Sequence, residues 1–245
     1  KMPYLKANRS RKYQRVFLKC WKRSRYIHWM RNGKHIRTRL AISGRGVGMA
    51  LFSYKTGVWP ISLEIAGARL SLNQDGSVQL QVGATEIGQG ADTVFSQMAA
   101  ETLHMDISRV HIVTQQDTDV TPFDTGAYAS RQSFVTGTAV KECAQQLKQK
   151  ILEYARTLVP GNVDRLELED GYILADGKPA ISLEDLAMES YYSLSNSSVL
   201  TAEVSRQVKK NTVASGCCFA EVEVDMKLGK IKVLDIVNVH DSGTF

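Results

Sequence analysis

Two short segments carry residue types that could hold a polar ligand. The first is Gly88-Gln89-Gly90. Glycine lets a backbone come close to a ligand, and a glutamine amide both donates and accepts hydrogen bonds. Ala91, Val94, Phe95, Met98, Ala99, Thr102 and Leu103 follow at helical spacing, so the segment delivers the chain to a helix N-terminus. The unpaired amides of such an end suit a phosphate or another anionic, oxygen-rich group. An ordinary strand-to-helix turn would have the same composition. The second segment is Asp124-Thr125-Gly126-Ala127-Tyr128-Ala129-Ser130-Arg131-Gln132. Small residues, a hydroxyl, a guanidinium and an amide precede a long helix. It reads either as an anion-holding loop or as a surface loop ending in a serine N-cap.

Other constellations are weaker. Asp117, Asp119 and Asp124 invite a calcium reading, but with Asp117 as position one Pro122 stands where glycine is needed and Tyr128 where glutamate is needed. A solvated acidic loop is the expectation there. His104, His111 and His240 are scattered, with no ligand spacing on a helix. Cys20, Cys143, Cys217 and Cys218 form no C-x-x-C pair, so no iron–sulfur cluster is expected on this chain.

The elements that must position these segments follow from periodicity. Leu63, Ile65, Ala68, Leu70 and Leu72 alternate with mostly polar residues, Asn73-Gln74-Asp75-Gly76 is a turn, and Val78, Leu80 and Val82 alternate again, which predicts a β-hairpin running into Gly88. A short strand is expected over Arg109–Thr114. Val140, Cys143, Leu147, Ile151, Tyr154 and Leu158 predict a long helix stopped by Pro160-Gly161. A strand is read over Gly46–Tyr54, a small hairpin around Asp170-Gly171 and a short helix near Ser182–Tyr192. A last hairpin joins Gly216–Met226 to Ile231–Val239, with Ile231, Val233 and Val237 on one side. The fold class is α+β, with antiparallel hairpins packed against helices.

Composition divides the chain. Fifteen of the 31 Lys and Arg stand in residues 1–45, which hold no Asp or Glu, and the first acidic residue is Glu64. The basic pI therefore belongs to a basic arm and not to the globular part, residues 46–245. Three readings of the arm stand side by side: a shifted-frame or junction sequence, an extension that docks on a partner subunit, and a nucleic-acid-binding arm with Tyr4, Tyr13, Trp21, Tyr26 and Trp29 for stacking. On each of them it is expected to be poorly ordered. No apolar run approaches the roughly 18–20 residues of a spanning helix, and no secretory pattern is present. The expectation is a cytoplasmic protein with no membrane contact.

Taken in order, the motifs are more specific than any one alone. They are Ala84-Thr85-Glu86-Ile87-Gly88-Gln89-Gly90, Gln116-Asp117-Thr118-Asp119, Pro122, Ala129-Ser130-Arg131, Gly137 inside the next helix, and Val239-His240-Asp241-Ser242-Gly243. This order, over about residues 46–243, resembles the second molybdenum-cofactor domain of the xanthine dehydrogenase and aldehyde oxidase family, in the form of a bacterial molybdopterin-binding subunit. The resemblance implies that Gly88, Gln89 and Gly90 sit beside molybdopterin, bonding its pterin and phosphate. It implies that Ala129 and Ser130 touch the cofactor, with Arg131 and Gln132 as neighbours. It further implies a molybdenum-dependent oxidoreductase that hydroxylates a purine or related heterocycle with oxygen from water. FAD and 2Fe-2S clusters would lie on other subunits or domains of the same complex.

The match has a gap. The family's glutamate base lies in a Gly-Glu-Pro-Pro segment that does not occur here, and neither Glu86 nor Glu101 matches it. The expectation is an internal fragment, adjacent to cofactor but catalytically incomplete, with no protein ligand to a metal. A reading from a different class stays open beside it, a non-catalytic binding protein whose basic arm contacts nucleic acid or a partner subunit. Salt-sensitive nucleic-acid binding lost on deleting residues 1–43 would identify that one.

Overall fold

A computed structural model describes residues 43–161 and 163–241. The arm up to residue 42, with every reading of it, lies outside the described residues. So do Ser242 and Gly243 of the last motif. The described residues divide into two compact units, one holding Thr56–Asn211 and the other the chain segments on either side of it.

The Thr56–Asn211 unit is built on a four-stranded sheet in the order β4-β3-β2-β8. Its strands are β2 (Ile65–Leu72), β3 (Val78–Val82), β4 (Val110–Ile112) and β8 (Thr201–Gln207). The expected hairpin is present: β2 and β3 pair antiparallel from Ala68–Val82 to Leu72–Val78. The alternation has its expected cause. Ala68, Leu70, Leu72, Val78, Leu80 and Val82 are fully buried, while Arg69 turns outward to Glu203 and Gln81 on the neighbouring strands. Two features of this sheet were not anticipated. Strand β8 closes the far side of β2, and β4 pairs with β3 in parallel.

Two helices cover the buried face. Helix α1 (Ala91–Leu103) and helix α2 (Gln132–Leu158) pack on each other, and α2 packs on β2 and β8. The predicted stripe on α2 is the buried one, with Val140, Cys143, Leu147 and Ile151 at zero exposure. Gly137 marks the close approach of the helices. A Cβ there would lie 2.6 Å from the Met98 sulfur. Cys143 is a packed core residue, and its burial pushes the thiol up to about 11.

Below α2 a second antiparallel sheet runs β5 (Leu166–Glu169), β6 (Tyr172–Ala175) and β7 (Lys178–Ser182). The predicted Asp170-Gly171 turn joins the first two strands with both residues at positive φ, the geometry whose twist matches a two-residue hairpin. Helix α3 (Leu183–Tyr192) follows and is capped by Ser182, whose hydroxyl accepts from the Asp185 amide.

The other unit is one three-stranded sheet of long strands: β1 (Ser43–Lys55), β9 (Val213–Asp225) and β10 (Lys230–Asp241), in the order β1-β9-β10. Strand β1 pairs with β9 along its whole length. A β-bulge between Val233 and Asp235 corrects the expected stripe on β10. An extra residue flips every later side chain to the other face. Val237 and Val239 therefore pack against Cys217 and Phe219, while Ile231 and Val233 are exposed on the opposite side. The α+β architecture of antiparallel hairpins and covering helices is as expected.

Candidate functional site

Both candidate segments lie in the Thr56–Asn211 unit, at the N-termini of the two packed helices. Residues 83–90 lead from β3 into α1, and residues 113–131 lead from β4 into α2. The helix pair therefore brings together two loops that are about 40 residues apart in sequence.

They meet through two amides. The Gln89 Nε2 group donates to Gln132 Oε1 at 2.6 Å and to the Thr85 carbonyl at 3.0 Å. Gln132 Nε2 donates to the same Thr85 carbonyl at 3.1 Å. Gln89 Oε1 in turn accepts from the Ile87 amide at 2.7 Å. Gln89 is thus locked in one orientation from both sides. Gln132 is buried beneath it, whereas Gly88, Gln89, Gly90 and Ser130 are exposed and Ala129 is half-buried.

The helix N-terminus differs from the sequence expectation in one respect. Its amides are not offered outward. Glu86 folds back so that Oε1 accepts from Gly88 at 2.6 Å and Gly90 at 3.1 Å, and Oε2 accepts from Asp92 at 3.2 Å. The anion at this helix end is the chain's own carboxylate. Partial desolvation pushes the Glu86 carboxyl up, but the amides of Asp92, Gly90, Gly88 and Ala91 outweigh it and leave it below its ordinary value. Asp92 moves the other way, raised by burial first and by the Glu86 charge second. Gly88 and Gly90 sit at φ 97° and 81°, and an added Cβ at either would meet nothing within 4 Å. The turn therefore presents open backbone to one side and its amide bonds to the other.

The second loop is held differently. Ala129 and Ser130 both adopt left-handed conformations, at φ 48° and 51°, which L side chains avoid. The next residue, Arg131, has no exposed side-chain surface. Its Nε donates to Glu64 at 2.5 Å, its Nη1 to Asp124 at 2.5 Å and to the Gly126 carbonyl at 3.0 Å, and its Nη2 to the Ile65 carbonyl at 2.7 Å. Four of the five N–H groups of the guanidinium are engaged inside the protein. The Asp124 side chain, expected on a solvated loop, is buried, and it also accepts from Thr136 at 2.7 Å and from the Gly126 amide at 2.9 Å. Nor is Ser130 the N-cap. That position falls on Arg131, without a side-chain cap. Sequence reasoning missed Glu64 altogether. The only available signal was that it is the first acid in the chain, inside an otherwise apolar strand lead-in.

The site is an exposed ledge of two loop crests, Gly88–Gly90 and Ala129–Ser130, stapled by Gln89 and Gln132. Its outward groups are neutral: amide edges, glycine backbone and the Ser130 hydroxyl. Such a set suits the hydrogen-bonding edge of a polar heterocycle better than a bare phosphate, which would call for a cation. Molybdopterin carries such an edge, and on that count the residues fit it. Among the described residues no group of three or more His, Cys, Asp or Glu could hold a metal ion, and no helix is long and apolar enough to cross a membrane.

Comparison with known proteins identifies the family. The family model for the molybdopterin cofactor-binding domain matches residues 19–245, beginning inside the basic segment. The chain is 45% identical over 228 residues to the putative xanthine dehydrogenase molybdenum-binding subunit of Escherichia coli K12, covering 91% of this chain and 30% of that protein. It is 31% identical over 199 residues to a probable hypoxanthine oxidase of the same organism, covering 81% of this chain and 20% of that protein. Among solved structures, quinoline 2-oxidoreductase from Pseudomonas putida 86 superposes with a TM-score of 0.73 at 22% identity, over 89% of this chain and 29% of that one. The chain thus spans less than a third of the length of these relatives.

Proposed function

The chain belongs to the molybdopterin cofactor-binding domain family, and from that premise we propose that it is the part of a xanthine dehydrogenase-type molybdenum-binding subunit that presents the Gly88–Gly90 and Ala129–Ser130 crests to the cofactor. The observation that carries this reading is the Gln89–Gln132 hydrogen bond, which ties together two loops distant in sequence. Gln89 offers the ligand its remaining acceptor capacity on Oε1. Gln132 holds Gln89 in place from below. Gly88 and Gly90 let the ligand approach the backbone, and Ser130 supplies a hydroxyl. Molybdopterin, when bound, supplies the metal that oxidises a purine or related heterocycle with water as the oxygen source. The chain supplies binding and orientation. Glu86 and Glu64 are both engaged as structural acceptors.

The same proposal gives the chain iron–sulfur and FAD subunits as partners, as electron acceptors for that chemistry, and a cytoplasmic location. The test is retention of molybdopterin by the full chain, measured as pterin fluorescence after release. Gln89→Ala is expected to weaken retention at least tenfold while leaving thermal unfolding within a few degrees. Equal retention by both proteins would remove Gln89 from the site.

A further inference from the structure

Arg131 does not face the ligand edge, yet it touches every segment that shapes the Ala129–Ser130 crest. We infer that Arg131 is a positioning residue, the hub of a closed circuit of buried bonds that forces Ala129 and Ser130 into their left-handed conformations. This rests on the cofactor reading above for what the crest is for, but not for the circuit itself.

The circuit can be followed bond by bond. Arg131 Nε holds Glu64. Glu64 holds the Val58 amide through its other oxygen, Oε1, at 2.5 Å. The neighbouring Gly57 amide donates to the Ala129 carbonyl at 2.9 Å, which places the Gly57–Val58 turn against the crest. From Ala129 the chain passes through Ser130 back to Arg131. On the other side Arg131 Nη1 holds Asp124 and the Gly126 carbonyl, so the start of the loop is tied to the same guanidinium as its end. Thr136, one turn into α2, holds the remaining oxygen of Asp124. The Arg131 plane also lies 5.5 Å from the centre of the Tyr128 ring, and the Tyr128 hydroxyl donates to the Leu63 carbonyl at 3.3 Å.

The physical logic is one of over-determination. Two successive non-glycine residues at positive φ are strained and persist only where their surroundings hold them. A planar fork with five donors can bind two carboxylates and two carbonyls at fixed angles, which a lysine cannot. Burial makes the arrangement all-or-none, because removing one member leaves a charge without its partner in a medium that cannot solvate it. Ser130 is thus aimed by residues that never meet the ligand.

Residue-resolved amide hydrogen exchange on the full chain tests this. The informative variant is Asp124→Asn, which keeps the shape and removes one charge. Asp124 has no bond to Gly57, so a purely local role predicts faster exchange at Gly126 alone. The circuit predicts that exchange at Gly57 also rises, by at least tenfold, with amides in the α2 core unchanged. Unchanged exchange at Gly57 overturns the inference. Should Asp124→Asn fail to fold, Thr136→Val is read in the same way, with about a threefold rise at Gly57 expected and no rise overturning it. Molybdopterin retention is measured on the same samples. If the wild-type chain retains none, the cofactor reading fails while the exchange result still decides the circuit. If it does retain cofactor, Asp124→Asn is expected to lose it at least tenfold.

Discussion

The two crests of the site are built by opposite means. The Gly88–Gly90 turn uses residues for which positive φ costs little, and it satisfies its helix amides with a half-buried carboxylate from three residues before the middle of the turn. The Ala129–Ser130 crest uses residues that resist their conformation and holds them with a buried ion cluster drawn from two segments far apart in sequence. The first is a local solution, and each of its parts lies within a few residues. The second is a tertiary one and exists only once the unit has folded. A ligand edge composed of both has one crest whose geometry is cheap and adaptable and one whose geometry is imposed.

Arg131→Met tests the difference most harshly. It leaves Glu64 and Asp124 buried without a cation, and breaking such a cluster costs about 3–5 kcal/mol. Urea unfolding is expected to show a loss of that size, whereas Glu86→Gln at the exposed turn should shift the midpoint little. Equal losses would mean the two crests are held alike. Backbone substitutions should then divide by sign. Ser130→Gly removes a Cβ from a left-handed residue and is expected to stabilise by about 1 kcal/mol, while Gly90→Ala imposes one at φ 81° and should cost about 1 kcal/mol. Calorimetry on the pair checks this, and a shared sign would contradict it.

The smallest effect is in the pH dependence of the turn. The Glu86 carboxyl lies below its ordinary 4.5 in the folded chain. Its contribution to stability is therefore complete above that value and is lost as pH falls through the depressed folded-state pKa. Carbon-detected NMR titration should find the Glu86 midpoint below 4.5, with Asp92 moved upward and relaxing toward its ordinary value in Glu86→Gln. A Glu86 midpoint at or above the ordinary value would remove the carboxylate from the helix end.

The contrast also explains what was legible in the sequence. Gly88-Gln89-Gly90 announced itself because glycines before a helical stripe are a local signal, and the β2–β3 hairpin, α2 and the β9–β10 hairpin were legible for the same reason. Strand β8 was not, because Thr201–Gln207 has only Ala202 and Val204 turned inward and owes its place to pairing with a strand 130 or more residues earlier. The parallel β3–β4 pair and the full-length β1–β9 ladder likewise depend on distant partners. The buried role of Arg131 was not legible for the complementary reason. An arginine before a helix looks solvated unless Glu64 and Asp124 are known to converge on it, and nothing in local spacing joins them. The motif order recognised the family. Which of its residues face outward was a matter of tertiary structure.

The central claim is that the two crests form one edge that holds molybdopterin. Amide hydrogen exchange of the full chain with and without molybdopterin tests it directly. The account predicts slowed exchange at residues 87–90 and 129–131 together, saturating at the same cofactor concentration. Protection at one crest only, or at neither while the cofactor is bound, would contradict it.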